Sequence, residues 1–206
     1  KWTEKYGSGA DGAGSIDTSP FAEANETFTG TTGETTGTAG GTSILDNDCV
    51  LIHQTQGTGA GAWELNKVTS GGSTSLTFKY ALTNTYGTGA QILKLKQYSA
   101  LTVNTSQTWT GSAWNTDSSK GGILAFLCNG ETTITGTILV TGKGFILGGT
   151  VSGGLGEGQQ GEGTAGNGGT ASTSANGNGG GGGNGGGGNE AGAGGGGGGN
   201  AGAGTT

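Results

Sequence analysis

The chain has 206 residues, a formal charge of −6, 11% charged and 29% apolar residues, and 53 glycines. That is room for one β domain with an appendage, not for two large domains. Eight Lys and Arg spread thinly form no basic stripe, which excludes phosphate-backbone recognition and attraction to anionic membranes, and no run of 18 apolar residues exists to span a bilayer.

The first 40 residues are rich in Gly, Thr, Ser and Glu, with one Pro at position 20. Trp2, Tyr6, Phe21 and Phe28 are their large aromatic groups, spaced as anchors on an otherwise polar extended segment. Residues 1–40 are therefore expected to form an extended N-terminal arm, either a flexible leader or a strand donated to a neighbouring subunit. The start at Lys1, without a leader peptide, reads as a processed, secreted form.

Residues 41–150 carry the strand signals. Cys49–Gln56 is a largely apolar run bounded by the Asp46-Asn47-Asp48 turn and Gly57, and Ala62–Thr69 follows it. Ser75–Tyr80 alternates with Leu76, Phe78 and Tyr80 on one face. In Gln91–Gln97, Ile92 shares a face with Lys94 and Lys96, and Leu93 and Leu95 take the other. Leu101 and Val103 alternate. Gly122–Cys128 is apolar throughout, as expected of a strand covered on both sides, and Thr132–Thr141 and Lys143–Leu147 close the set. No window has helical apolar periodicity. Short strands separated by Gly, Asn, Asp and Ser turns predict an all-β fold, as a sandwich, a barrel or a β-solenoid. The stretch from Tyr98 to Thr150 would also suit stacked solenoid rungs.

Residues 151–206 obey different physics. From Gly153 to Thr206, 28 of 54 residues are Gly, and Leu155 is the last apolar side chain larger than Ala. Ordering such a segment costs on the order of 50–100 kcal/mol of backbone entropy with no side-chain core to offset it. Backbone-only packing is one solution. Bundled polyglycine-II helices with three residues per turn let chains approach where no Cβ intervenes. The run Gly194, Gly195, Gly196, Gly197, Gly198 and Gly199 is the candidate packing segment.

Chemistry-bearing residues are sparse. His53 is the single histidine and lies inside an apolar run, which favours packing over catalysis. No GxSxG, HExxH or P-loop pattern occurs. Asp46 and Asp48 lie in a turn that lacks the glycine and distal glutamate of a calcium loop. Cys49 and Cys128, far apart and without CxxC spacing, disfavour zinc; they are either a disulfide or buried thiols. Trp63, Trp109 and Trp114 are candidates for an aromatic platform that contacts glycans, against the alternative that they close a core. No cofactor is expected.

The motifs GSGADGA, DNDCVLIHQTQGTGAGAWELNKVTS, LTNTYGTGAQILKLKQYSALTV, SAWNTDSSKGGILAF and TITGTILVTGKGF, in that order, resemble a class of secreted glycine-rich bacterial surface proteins. In that class a β domain leads directly into a glycine-rich tail. The resemblance implies an extracellular or cell-surface location and that architecture, and it is silent on activity. The tail alone is similar in composition to phage tail-fibre adhesins with polyglycine-II helices. The resulting expectation is a non-enzymatic, secreted structural protein whose partner is itself, assembling into a filament or surface layer by strand addition and glycine-rich packing. The alternative is an adhesin that recognises a surface glycan or an outer-membrane receptor.

Overall fold

In the computed structural model the described residues are 6–16, 23–145, 151–152, 162–164 and 184–185. They contain strands, turns and bends but no helix. Of the residues singled out above, Trp2, Phe21 and Gly194 to Gly199 lie outside them. By internal contacts the chain falls into two units, Lys1–Gln54 with Ala62–Gly144, and Thr55–Gly61 with Phe145–Thr206.

The centre of the first unit is a closed barrel of six antiparallel strands. These are β2 (Asn25–Gly30), β3 (Thr36–Ala39), β4 (Cys49–Gln54), β5 (Trp63–Ser70), β6 (Ser75–Phe78) and the first half of β7 (Ala90–Val103). Pairing runs β7–β2–β3–β6–β5–β4 and returns to β7, so no barrel strand keeps an open edge along its paired length. Period-two alternation fills the interior: Val50 and Ile52 of β4, Val68 of β5, Leu76 and Phe78 of β6, Ile92 of β7 and Phe28 of β2 are all at most 2% exposed. Phe28 is the hub, edge-on to Phe78 at 5.7 Å and to Tyr86 at 5.8 Å between ring centroids. Its ring lies over Gly37, where any Cβ would collide with it, and beside Gly30, where a Cβ would strike Leu82 and crowd the ring. Burial raises the Tyr86 phenol pKa, and its oxygen keeps a bond from Asn84. Each such side chain contributes about 1.5–3 kcal/mol on burial.

The expected boundary at residue 40 is corrected by this arrangement. β2 and β3 are barrel staves, and Phe28, expected to anchor an arm on a neighbour, is consumed by its own core. A six-stranded barrel needs every stave to satisfy its ladder, and polar Thr at the outward positions of β2 and β3, with Gly30 and Gly37 at inward ones, disguises their role. Tyr6, by contrast, is 59% exposed.

β7 is one strand of 14 residues where the sequence suggested two. Its first half faces the barrel with Ala90 and Ile92. On its other face Leu93 and Leu95, with Cys49, join a second core that also holds Leu101, Val103 and Trp109. Ile123, Leu124 and Ala125 pack onto that second core as irregular chain, and only β9 (Phe126–Cys128) of the expected Gly122–Cys128 strand is regular. Lys94 stands on the barrel face where its ammonium meets Asp48 at 2.8 Å, and this hydrogen bond raises its pKa.

In the second unit, Gln56 is buried and donates from Nε2 to the Gly163 carbonyl at 3.0 Å, while the Gly57 N–H reaches the Thr164 carbonyl at 2.8 Å. β12 (Val151–Ser152) and β13 (Asn184–Gly185) pair in parallel, 33 positions apart.

Candidate functional site

Beyond Leu95 the neighbours of β7 change from antiparallel to parallel. β1 (Gly12–Ile16) and β10 (Thr132–Ile134) both align with Leu101 to Val103, so they lie on opposite edges of β7 and make a parallel three-stranded sheet. β9 aligns Phe126 with Lys96, and β11 (Thr137–Ile138) aligns with β8 (Thr108–Trp109). The three successive pairings are offset by 30, 31 and 29 residues. That near-constancy stacks residues 126–138, the second coil, in parallel on residues 96–109, the first.

Glycines sit at the corners of the second coil. A Cβ on Gly130 would strike the Ser99 carbonyl, and one on Gly136 would strike the Asn104 and Gln107 carbonyls. Both corners therefore rest directly on the backbone of the coil beneath. Along the strands, like side chains align in register. Ile16, Val103 and Ile134 form one apolar ladder across β1, β7 and β10, and Trp109 aligns with Ile138. Trp109 also stacks against Phe126 at 4.9 Å.

Burial falls away along this ladder. Val103 is fully buried, whereas Ile134 is 50% exposed, and Leu139 and Val140 just beyond β11 are similarly uncovered. Among the described residues neither β1 nor β10 has a strand on its outer side. Natural sheet edges are usually blunted by Lys, Pro or a covering loop. From Gly121 to Gly142 this chain has a single charge, Glu131, and no Pro, and from Gly7 to Ile16 it has Asp11 alone.

Buried amides tie the surrounding loops down, and no periodicity signal in the sequence marked them. Gln91 offers its side chain to Gly121 as a peptide would: Nε2 donates to the Gly121 carbonyl at 3.1 Å and Oε1 accepts its N–H at 2.9 Å. Gln54 does the same for Gly87 and Thr88, and Asn66 for both backbone groups of Tyr80. Gln97 accepts from the Ser8 N–H and hydroxyl, while the Asp11 carboxylate takes the Gln97 N–H at 2.7 Å, which fastens the chain leading into β1. The only available signal was a run of Gln at positions that alternation assigns to apolar residues.

The three tryptophans do not make a platform. Trp109 and Trp114 are 2% and 4% exposed and close interior space, and Trp63 alone, at 60%, faces solvent at the start of β5. Trp63 is cross-strand to His53, whose pKa is lowered by burial, leaving a neutral imidazole. The disulfide is likewise corrected. Cys49 and Cys128 form no bridge, Cys49 aligning with Leu95 and Cys128 with Tyr98. Three residues along a strand are about 10 Å, beyond the roughly 7 Å that a bridge tolerates between Cα atoms.

Both turn carboxylates are engaged structurally: Asp46 accepts the Gly71 N–H, and Asp48 accepts that of Leu45 and binds Lys94. Among the described residues no group of three His, Cys, Asp or Glu could hold a metal ion, and no helix is long and apolar enough to cross a membrane. A cleft of about 360 Å³ opens where β2 and β7 part beyond Thr27, lined by Thr27, Thr29, Thr38, Asp117 and Ser118 together with Phe28 and Ala39. Comparison with protein-family models, with curated proteins and with solved structures returns no match for this chain.

Proposed function

We propose that this chain is a non-enzymatic structural subunit that assembles with copies of itself into an extracellular filament or surface layer by adding strand to strand. One observation carries the reading: a parallel sheet whose two edges have no strand beside them among the described residues, and whose apolar ladder ends in a half-exposed Ile134. An unpaired edge strand presents a row of N–H and C=O groups to any strand that matches it. The glycine-rich segment adds backbone-only packing within or between subunits, as its composition suggests. Electron microscopy of the full chain, with light scattering across a concentration series, tests this reading. Regular filaments or sheets are the expected outcome, and monomers at every concentration reject it.

A second reading is supported by the cleft beside β2, which Thr27, Thr29, Thr38, Asp117 and Ser118 help to line. Threonine and serine hydroxyls with one carboxylate suit hydrogen bonding to a sugar, which makes an adhesin for surface glycans the competing function. A glycan screen with wild type and Asp117→Asn separates the two. Saturable binding by a monomer, weakened by the substitution, favours the adhesin.

A further inference from the structure

We infer that the assembly is polar: the β10 edge of one copy seats on the β1 edge of the next, in the register the chain already uses within itself. The inference rests on the self-assembly reading and adds the partner surfaces, the direction and the alignment.

In a strand, successive residues direct their N–H and C=O to alternate edges. Leu101 N–H donates to the Glu131 carbonyl and Thr135 N–H to the Val103 carbonyl, so the odd-numbered residues of β10 face β7. Thr132 and Ile134 then present their backbone to the open side. On β1, Asn104 N–H reaches the Ile16 carbonyl at 3.5 Å, so even-numbered residues face β7 and Ala13 and Ser15 face outward.

These two sets are in phase. Within one chain, Thr132 aligns with Leu101 and Leu101 with Gly14. If β10 of one copy keeps that alignment against β1 of another, Thr132 lies opposite Gly14. A residue in a parallel ladder bonds to the two residues that flank its partner. For Thr132 these are Ala13 and Ser15, the pair whose groups point out. Ile134 then lies beside Ile16, and the ladder Ile16–Val103–Ile134 continues into the next subunit without a break. The half-exposed Ile134 is covered by the same side-chain type that covers Val103. Charge permits it, since Asp11 is already held by Lys96 at 3.4 Å and Glu131 falls opposite the region of Ala13. Two different surfaces meeting in this way make a heterologous contact, which propagates rather than closing on a dimer.

Cysteine pairing reads the geometry directly. Ser15 and Thr133 both align with Thr102 and are exposed, so the inferred contact sets Ser15 of one copy about 4.8 Å from Thr133 of the next, within disulfide reach. Full-length Ser15→Cys and Thr133→Cys are prepared on a Cys128→Ser background, mixed, oxidised and resolved without reductant. A mixed dimer that neither variant gives alone is expected, and the double variant should give a ladder of oligomers. A second variant, Thr132→Pro, removes an outward N–H while sparing the bonds to β7, and should lower assembled protein at least tenfold with an unchanged melting temperature. Thr133→Cys linking to itself overturns the polarity. Assembly of wild type that survives Thr132→Pro, with no mixed dimer, overturns the surfaces and leaves the assembly reading standing. Wild type that never assembles removes the assembly reading itself.

Discussion

The barrel and the parallel stack share a strand and solve opposite problems. Along β7 the first six residues belong to a sheet that closes on itself, where each stave has a neighbour on both sides and the interior side chains are at most a few per cent exposed. The next eight belong to a sheet that ends in open backbone on both sides among the described residues. Closure makes the barrel self-sufficient, because no backbone group along a paired stave is left seeking a partner. The stack has no such limit. The second coil is satisfied by the first and turns its other edge outward, so more strand can be added there. The difference teaches where stability and interaction reside: one region holds the fold, and the other is free to hold something else.

Paired substitutions break this comparison most sharply. Phe28→Ala should cost about 3–5 kcal/mol, because the ring fills the barrel centre between Phe78 and Tyr86 and the cavity cannot collapse against a closed wall. Urea titration followed by near-ultraviolet circular dichroism measures it. Ile134→Ala should cost less than about 1 kcal/mol in the monomer, since half the side chain is already in water, while weakening assembly strongly. Equal losses from the two would mean that the stack is as much a part of the folding core as the barrel. Next in size is the amide clamp that ties the two regions' loops. Gln91→Leu strands the Gly121 N–H and carbonyl in a buried site at about 1–3 kcal/mol for each group. Hydrogen exchange should speed up in residues 115–121 and leave the barrel staves protected.

The same contrast explains what could be read from the residues alone. β4, β5 and β6 were legible because alternation puts Val50, Ile52, Val68, Leu76 and Phe78 on one face, and closed antiparallel staves obey that rule. β2 and β3 were not legible, since only Phe28 and Ala39 mark their inner face, and the glycines that make room for Phe28 look like linker. In the stack, the apolar run Gly122–Cys128 suggested a strand covered on both sides, yet its residues are only half-buried and only Phe126–Cys128 is strand, while close approach at Gly130 and Gly136 brings backbone directly onto backbone. Tryptophans suggested a binding face because exposure is not encoded in residue type: Trp109 and Trp114 went inside and only Trp63 stayed out. Pairing of the cysteines was undecidable without register, which sets them three positions apart along β7.

Thiol reactivity gives a smaller, cleaner test of the boundary. Cys49 lies between barrel and stack at 1% exposure, and Cys128 lies on β9 with its Sγ 3.6 Å from the Gly130 carbonyl. Alkylation of the native chain should label Cys128 well before Cys49, and denaturant should expose two free thiols by mass. A molecule two protons lighter, with no labelling, would require a register different from the one that places Cys49 by Leu95 and Cys128 by Tyr98.

The smallest expected effect is on pH dependence, and it belongs to the barrel's outer face. Burial lowers the His53 pKa from 6.5, so the unfolded chain holds this proton more tightly than the folded one. Its neutral form is therefore favoured in the fold, and its contribution to stability is complete above about pH 6.5 and declines as pH falls below it. His53 stands cross-strand to Trp63 and Gln91, neither of which carries a charge. Melting temperature should thus drop between pH 7.5 and 5.5 by a few degrees, and His53→Gln should flatten that slope without moving the value at pH 7.5 by more than the cost of one hydrogen bond. A melting temperature that instead rises on acidification would move the effect to the carboxylate near Lys96. There Glu23, its pKa raised by burial, has the opposite sign: the fold binds its proton more tightly, so acidification through its range stabilises. The two groups pull in opposite directions, so the sign of the measured slope identifies which one governs.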